Sequence, residues 1–163
     1  MPRLPDLPAG TTLFLDANIF LEHLLGGHPA CTTLFQRLDS GEVRGITSVA
    51  ILAEVRHRLL LTELVRRGHI SRPHRALDAL RQRPELLDRL SGCDDGLDAL
   101  LDRIRVVGVT PAQFRSAQRL SLRYRLLTND ALHVATMRAH RLRHLASADR
   151  DFLRVRPLTV WTP

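Results

Sequence analysis

The chain has no lysine. All 24 of its Lys/Arg positions are arginine, set against 17 Asp and Glu, for a formal net charge of +7. With no lysine to lose its proton near about pH 10.4, the positive charge persists, which explains a pI as high as 11.2. We attribute the missing lysine to base composition. The sign of the charge favours a polyanionic partner such as nucleic acid, or an acidic protein segment. Aromatic residues are only 4% of the chain, which argues against a base-stacking platform of the RNA-recognition kind. The two cysteines, Cys31 and Cys93, make neither a disulfide framework nor a zinc pattern. No apolar run approaches the roughly 20 residues that span a bilayer, and Met1-Pro2-Arg3-Leu4-Pro5-Asp6 lacks the apolar core of a signal peptide. The expectation is a soluble cytoplasmic protein with no membrane association. At 163 residues and 44% apolar composition, the chain reads as one domain over 1–163 with a sizeable core.

Thr12–Leu15 reads as a buried strand that runs straight into Asp16. A short helix, Ala17–Leu25, follows and is closed by Gly26-Gly27. Pro29 opens the next helix, to about Asp39, and Val43–Ile46 is a second strand. Thr47-Ser48 offers an N-cap to a helix from Val49 to about Arg67, with Ile51, Leu52, Val55, Leu59 and Leu60 at helical spacing. Residues 68–102 read as a helical insert: one piece around Ala76–Leu80, one over Glu85–Leu90 ended by Ser91-Gly92, a loop at 93–96 and a last turn at Leu97–Leu101. Ile104–Val109 is the third strand. Thr110-Pro111-Ala112-Gln113 carries a capping-box signature for a helix to about Tyr124. A further helix starts at Thr128 and lasts to about Arg141. His144–Ser147 and Leu158–Trp161 complete the strands. Strands alternating with helices predict an α/β fold: a three-layer α/β/α sandwich around a mostly parallel sheet of four to five strands.

Four carboxylates occupy unusual settings. Asp16 ends the first strand, Glu54 sits among apolar positions of its helix, Asp130 lies in the first turn of a helix, and Asp149 follows the fourth strand. In a parallel sheet, strand C-termini and the helix N-termini that follow share one edge, so Asp16, Asp130 and Asp149 converge there with Glu54 within reach. Clustered carboxylates repel one another, so either several stay protonated or a cation sits among them. An all-oxygen site suits Mg²⁺ or Mn²⁺, ions that serve phosphoryl chemistry. The chain offers no P-loop glycine run and no serine–histidine pair as a competing explanation. Each acid also has a plainer role, as a helix cap, a rim residue or a turn residue. In Asp149-Arg150-Asp151 either carboxylate can face the site, and Asp149 is the nearer to the strand end.

Arg115, Arg119 and Arg123 recur every four residues on one helix. They are either a solvated face or a track for a phosphate backbone. Arg56, Arg58, Arg66 and Arg67 form a second cluster with the same two readings. The eight histidines form no ligand set, though His133 follows Asp130 by three residues.

Leu15-Asp16-Ala17-Asn18-Ile19, Ala53-Glu54-Val55, Asn129-Asp130-Ala131-Leu132-His133-Val134-Ala135 and Ala148-Asp149-Arg150-Asp151-Phe152 resemble, in order and spacing, the four acidic motifs of PIN-domain nucleases. The likeness is greatest to VapC-type toxins and extends from about residue 12 to 161. The insert at 68–102 is longer than is usual for the small toxins. The resemblance implies a PIN-like fold, Mg²⁺- or Mn²⁺-dependent endoribonuclease activity leaving 5′-phosphate and 3′-hydroxyl ends, a homodimer, and inhibition by a small antitoxin. It assigns Asp16, Glu54, Asp130 and Asp149 to the catalytic acids, with Asp16, Asp130 and Asp149 ligating the metal. Asn18, Ser147 and Asp151 match polar positions beside those acids. A PIN nuclease of RNA maturation or DNA processing fits the same motifs. An aspartate-nucleophile phosphatase fits less well, since Asn18 stands where such enzymes usually carry a second Asp and there is no lysine. A non-catalytic binding module is disfavoured by retention of all the acids.

Overall fold

Leu13, Phe14 and Leu15 have no exposed surface at all. A strand buried on both faces belongs in the middle of a covered sheet, and that is where it lies. A computed structural model, describing residues 1–90 and 92–163, gives a five-stranded, wholly parallel sheet in the order β3-β2-β1-β4-β5. The strands are β1 (Thr12–Leu15), β2 (Arg44–Ser48), β3 (Ile104–Val107), β4 (His144–Ala146) and β5 (Thr159–Trp161). Among the described residues seven α-helices lie between β1 and β4: α1 (Ala17–Leu24), α2 (Pro29–Asp39), α3 (Val49–Arg66), α4 (Ala76–Gln82), α5 (Asp95–Leu101), α6 (Pro111–Tyr124) and α7 (Thr128–Ala139).

The steps β1→β2→β3 run one way across the sheet, and β3→β4→β5 run the other. Right-handed crossovers then place α1–α5 on one face and α6–α7 on the opposite face. The packing agrees: α1 lies against α2, α3 and α5, and α6 lies against α7. The direction reverses between β1 and β4. That is the topological switch point, where open α/β sheets leave a crevice beyond their strand ends.

Local chemistry sets the element ends. Ser48 finishes β2 and its hydroxyl accepts from the Ile51 amide, so one residue ends a strand and caps α3. Gly45 sits inside β2 because a Cβ there would come within 3.0 Å of both Leu15 Cδ1 and Leu38 Cδ2. The capping box at α6 is complete: the Gln113 amide donates to Thr110 Oγ1, and the Thr110 amide to Gln113 Oε1. Thr110→Ala should cost about 1 kcal/mol. For a chain this long that is a fall of about 2–4 °C in a thermal melt.

The insert departs from expectation in detail. The helix expected over 85–90 is a pair of 3-10 turns, Pro84–Leu86 and Asp88–Leu90; so few residues form too few bonds to hold an α-helix. Ser91, expected to help end it, lies outside the described residues. Helix α5 begins at Asp95, within the stretch expected as a loop. Leu64, Ile70, Ala76, Leu86 and Leu90 pack together as a cluster separate from the main core, along the far half of α3. Among the described residues no helix is long and apolar enough to cross a membrane.

Candidate active site

A dense polar network ties the end of β1 to the end of β4. Asp16 caps α1, accepting the Ala17 amide on Oδ1 at 2.8 Å. Its Oδ2 accepts Ser147 Oγ and Asn18 Nδ2, each at 2.6 Å. Ser147 Oγ in turn accepts the Asp149 amide at 3.0 Å and lies 3.2 Å from Asn18 Nδ2. Asn18 Oδ1 accepts the Ala148 amide at 3.0 Å. Asp16 and Ser147, 6% and 0% exposed, are buried by the elements that place them. Asp16 is therefore both a cap and a centre of charge, two readings that the sequence left as alternatives. The amide of Asn18, bonded on both sides, is a strut at the position where a phosphatase would need a second acid.

The other acids face this network. Burial, reinforced by the charges of Asp149, Asp16, Glu54 and Asp151, pushes the Asp130 carboxyl up to about 6. Desolvation likewise raises Asp16 above the ordinary carboxylate range, with Asp149 adding to it and Ser147, Ala17 and Asn18 opposing. Residues from β1, α3, α7 and the β4 end thus share one electrostatic field. Among the described residues, no three His, Cys, Asp or Glu side chains are already drawn close enough to hold one ion. Glu54 is engaged with Arg58 at 2.9 Å. Asp149 Oδ1 caps the 3-10 turn Arg150–Arg154 through the Asp151 amide, and Asp151 pairs with Arg154 at 2.7 Å. The donor set is hard oxygen, and its buried members are penalised for carrying charge, so a divalent cation fits the chemistry of these residues.

The second arginine cluster, left open between two readings, is resolved by its partners. Arg56, Arg58, Arg66 and Arg67 are no free basic cluster: they pair with Asp94, Glu54, Glu63 and Glu63 respectively. Helical spacing was the available signal for three of these pairs: Glu54–Arg58 and Glu63–Arg67 at i,i+4 and Glu63–Arg66 at i,i+3. His133 does not open to solvent. It is buried against Phe14, burial lowers it to about 4, and its Nδ1 has no hydrogen-bond partner among the described residues. Arg115 and Arg119 are exposed and make no ion pair among the described residues, and Arg123 lies over the Tyr124 ring.

The PIN domain family model matches residues 13–157. The chain belongs to the PIN domain family. This PIN domain is 24% identical over 143 residues to "Ribonuclease VapC2" of Methanocaldococcus jannaschii, with 88% of each chain covered. Its fold is shared with VapBC2 from Rickettsia felis, solved bound to a promoter DNA fragment, at TM-score 0.60 and 14% identity over 93% of this chain and 98% of that one. A toxin–antitoxin complex from Klebsiella pneumoniae matches at TM-score 0.58 and 16% identity, covering 90% and 95%. At such identities the solved structures speak to the fold, and the parallel five-stranded sheet flanked by helices is the PIN arrangement.

Proposed function

We propose that this PIN domain is the ribonuclease toxin of a toxin–antitoxin pair, an endoribonuclease that depends on Mg²⁺ or Mn²⁺. The observation that carries the reading is Asp130. Its carboxyl is raised to about 6 by burial and by acids arriving from separate parts of the chain, the kind of perturbation that clusters at functional sites. The name of the VapC2 relative supports the substrate class.

Asp16, Asp130 and Asp149 would hold the ion, which when bound supplies Lewis-acid activation of water and neutralises charge on the scissile phosphate. The protein's own part is orientation. Ser147 and Asn18 fix the Asp16 carboxylate and favour its ionised form. Glu54, partly exposed beside Arg58, would serve as a further ligand, as the base that orients the water, or as both. Arg115, Arg119 and Arg123 offer an exposed track for the RNA backbone. The proposal includes a homodimer and a small antitoxin that covers the site; Phe114, Leu122 and Leu127 are exposed apolar surface available to either.

The test is to sequence RNA ends after brief expression of the chain and of its Asp16→Asn form, and to repeat the cleavage with purified protein in Mn²⁺ and in EDTA. New 5′-phosphate ends that need both Asp16 and the ion are expected. Undiminished cleavage in EDTA would overturn metal dependence.

A further inference from the structure

Beside the β4 loop lies an open groove of about 490 Å³, lined by Arg3, Glu22, His28, Ala148, Arg150 and Thr162 together with Met1 and Pro163. Its wall is continuous with the site. Ala148 stands between Ser147 and Asp149, and its amide is held by Asn18. Arg150 directly follows Asp149. Glu22 lies one turn beyond Asn18 on α1, about 6 Å along the helix axis.

Neither Arg3 nor Arg150 pairs with a carboxylate among the described residues, whereas the arginines of α3 are neutralised. Glu22 is the single acidic side chain in the lining, and its Oε2 rests on Gly27, where a Cβ would come within 2.1 Å of it. His28 accepts the Ala30 amide on Nδ1, so its ring proton sits on Nε2, as a donor. Arg3 is placed by its main chain: it bridges to Thr162, and the Leu4 amide donates to Thr162 O at 2.8 Å. The guanidinium is free of any structural duty.

We infer that this groove is a subsite for the RNA strand flanking the scissile phosphate, with Arg3 and Arg150 each taking one backbone phosphate. The inference rests on the ribonuclease reading above. The chemistry recognised is that of a single-stranded phosphodiester chain. Two arginines without carboxylate partners among the described residues line the groove beside the β4 loop, against one acidic side chain. On the ribonuclease reading the site acids would hold the strand through an ion. The groove supplies the complementary positive charge next to them.

The experiment measures binding of a labelled 12-nucleotide single-stranded RNA to the full chain in EDTA, over a salt series. The proteins compared are wild type, Arg3→Ala/Arg150→Ala, and a charge-matched control, Arg75→Ala/Arg81→Ala, on the insert. Losing two phosphate contacts should lower the slope of log K against log salt by about 1.4 and weaken binding about tenfold or more at low salt, with the control unchanged. In Mn²⁺ the groove variant should raise KM for the 12-mer several-fold and leave kcat unchanged. The variant keeps the main-chain bridge at residue 3, and an unchanged thermal melt verifies its fold. Equal slopes for wild type and groove variant, or an equal drop in the control, overturn the inference. A wild type that neither binds nor cleaves RNA overturns the ribonuclease reading instead.

Discussion

Asp130→Asn should abolish RNA cleavage and stabilise the metal-free protein. The activity loss should be about 10³-fold or more, the scale on which removal of a group that stabilises transition-state charge acts. The stability gain follows from linkage. The Asp130 carboxyl titrates at about 6 in the folded chain against about 3.9 when unfolded. Between those values the folded state binds more protons, so the group's contribution to stability falls as pH rises through that window, and the full penalty is present above pH 6. Asparagine carries no charge to penalise. Because Asp130 is only about half buried, water screens much of the shift and about 1 kcal/mol is a reasonable expectation. That corresponds to a melting temperature higher by about 2–4 °C at pH 7.5, with little difference at pH 4.5. Adding Mn²⁺ should reverse the order, since only the wild type gains stability from binding the ion. A variant that melts with or below the wild type in EDTA at pH 7.5 would show that Asp130 carries no electrostatic penalty.

Ser147→Ala should damage activity without touching an acid. It removes one of the two donors to Asp16 Oδ2, sparing Asn18 Nδ2, and leaves the Asp149 amide without its acceptor. Losing such a partner behind a metal ligand typically costs 10–100-fold, and the groups left short of a partner should cost about 1–3 kcal/mol in a urea melt. Ser147 is the strongest influence holding the Asp16 carboxyl down. Its removal lets that carboxyl rise further, so the acid limb of the pH–rate profile should move to higher pH. A fall in rate with an unmoved acid limb would mean that Ser147 acts only on loop geometry.

Much of this architecture was legible in the chain because the signals were local. The apolar run of β1 ending at Asp16, and the capping box at Thr110, are each specified within a few residues. Strand ends feeding helix starts then predict a shared edge, which is how Asp16, Asp130 and Asp149 could be grouped. What stayed hidden depends on through-space partners. Arg56 finds Asp94 across 38 residues, a pairing that no local spacing in the second arginine cluster could show. His133 sits on the face that Phe14 covers, which helical spacing from Asp130 does not reveal. The short elements of the insert escape periodicity because 3-10 turns complete no amphipathic cycle. The groove beside Ala148 is built from both ends of the chain and leaves no motif.

The pairing of β1 with β4 has a consequence in time. Asp16 and Ser147 are 131 residues apart, and a chain emerges from the ribosome N-terminal end first. Asp16, Glu54 and Asp130 are all exported before the partner strand that completes their surroundings. Until His144–Ala146 docks beside β1, Asp16 lacks Ser147 and Asp149 is absent. Long-range parallel pairing is also slow to form. On the ribonuclease reading, the acids therefore cannot be assembled around Asp16 until β4 has emerged and docked beside β1, late in the chain's synthesis.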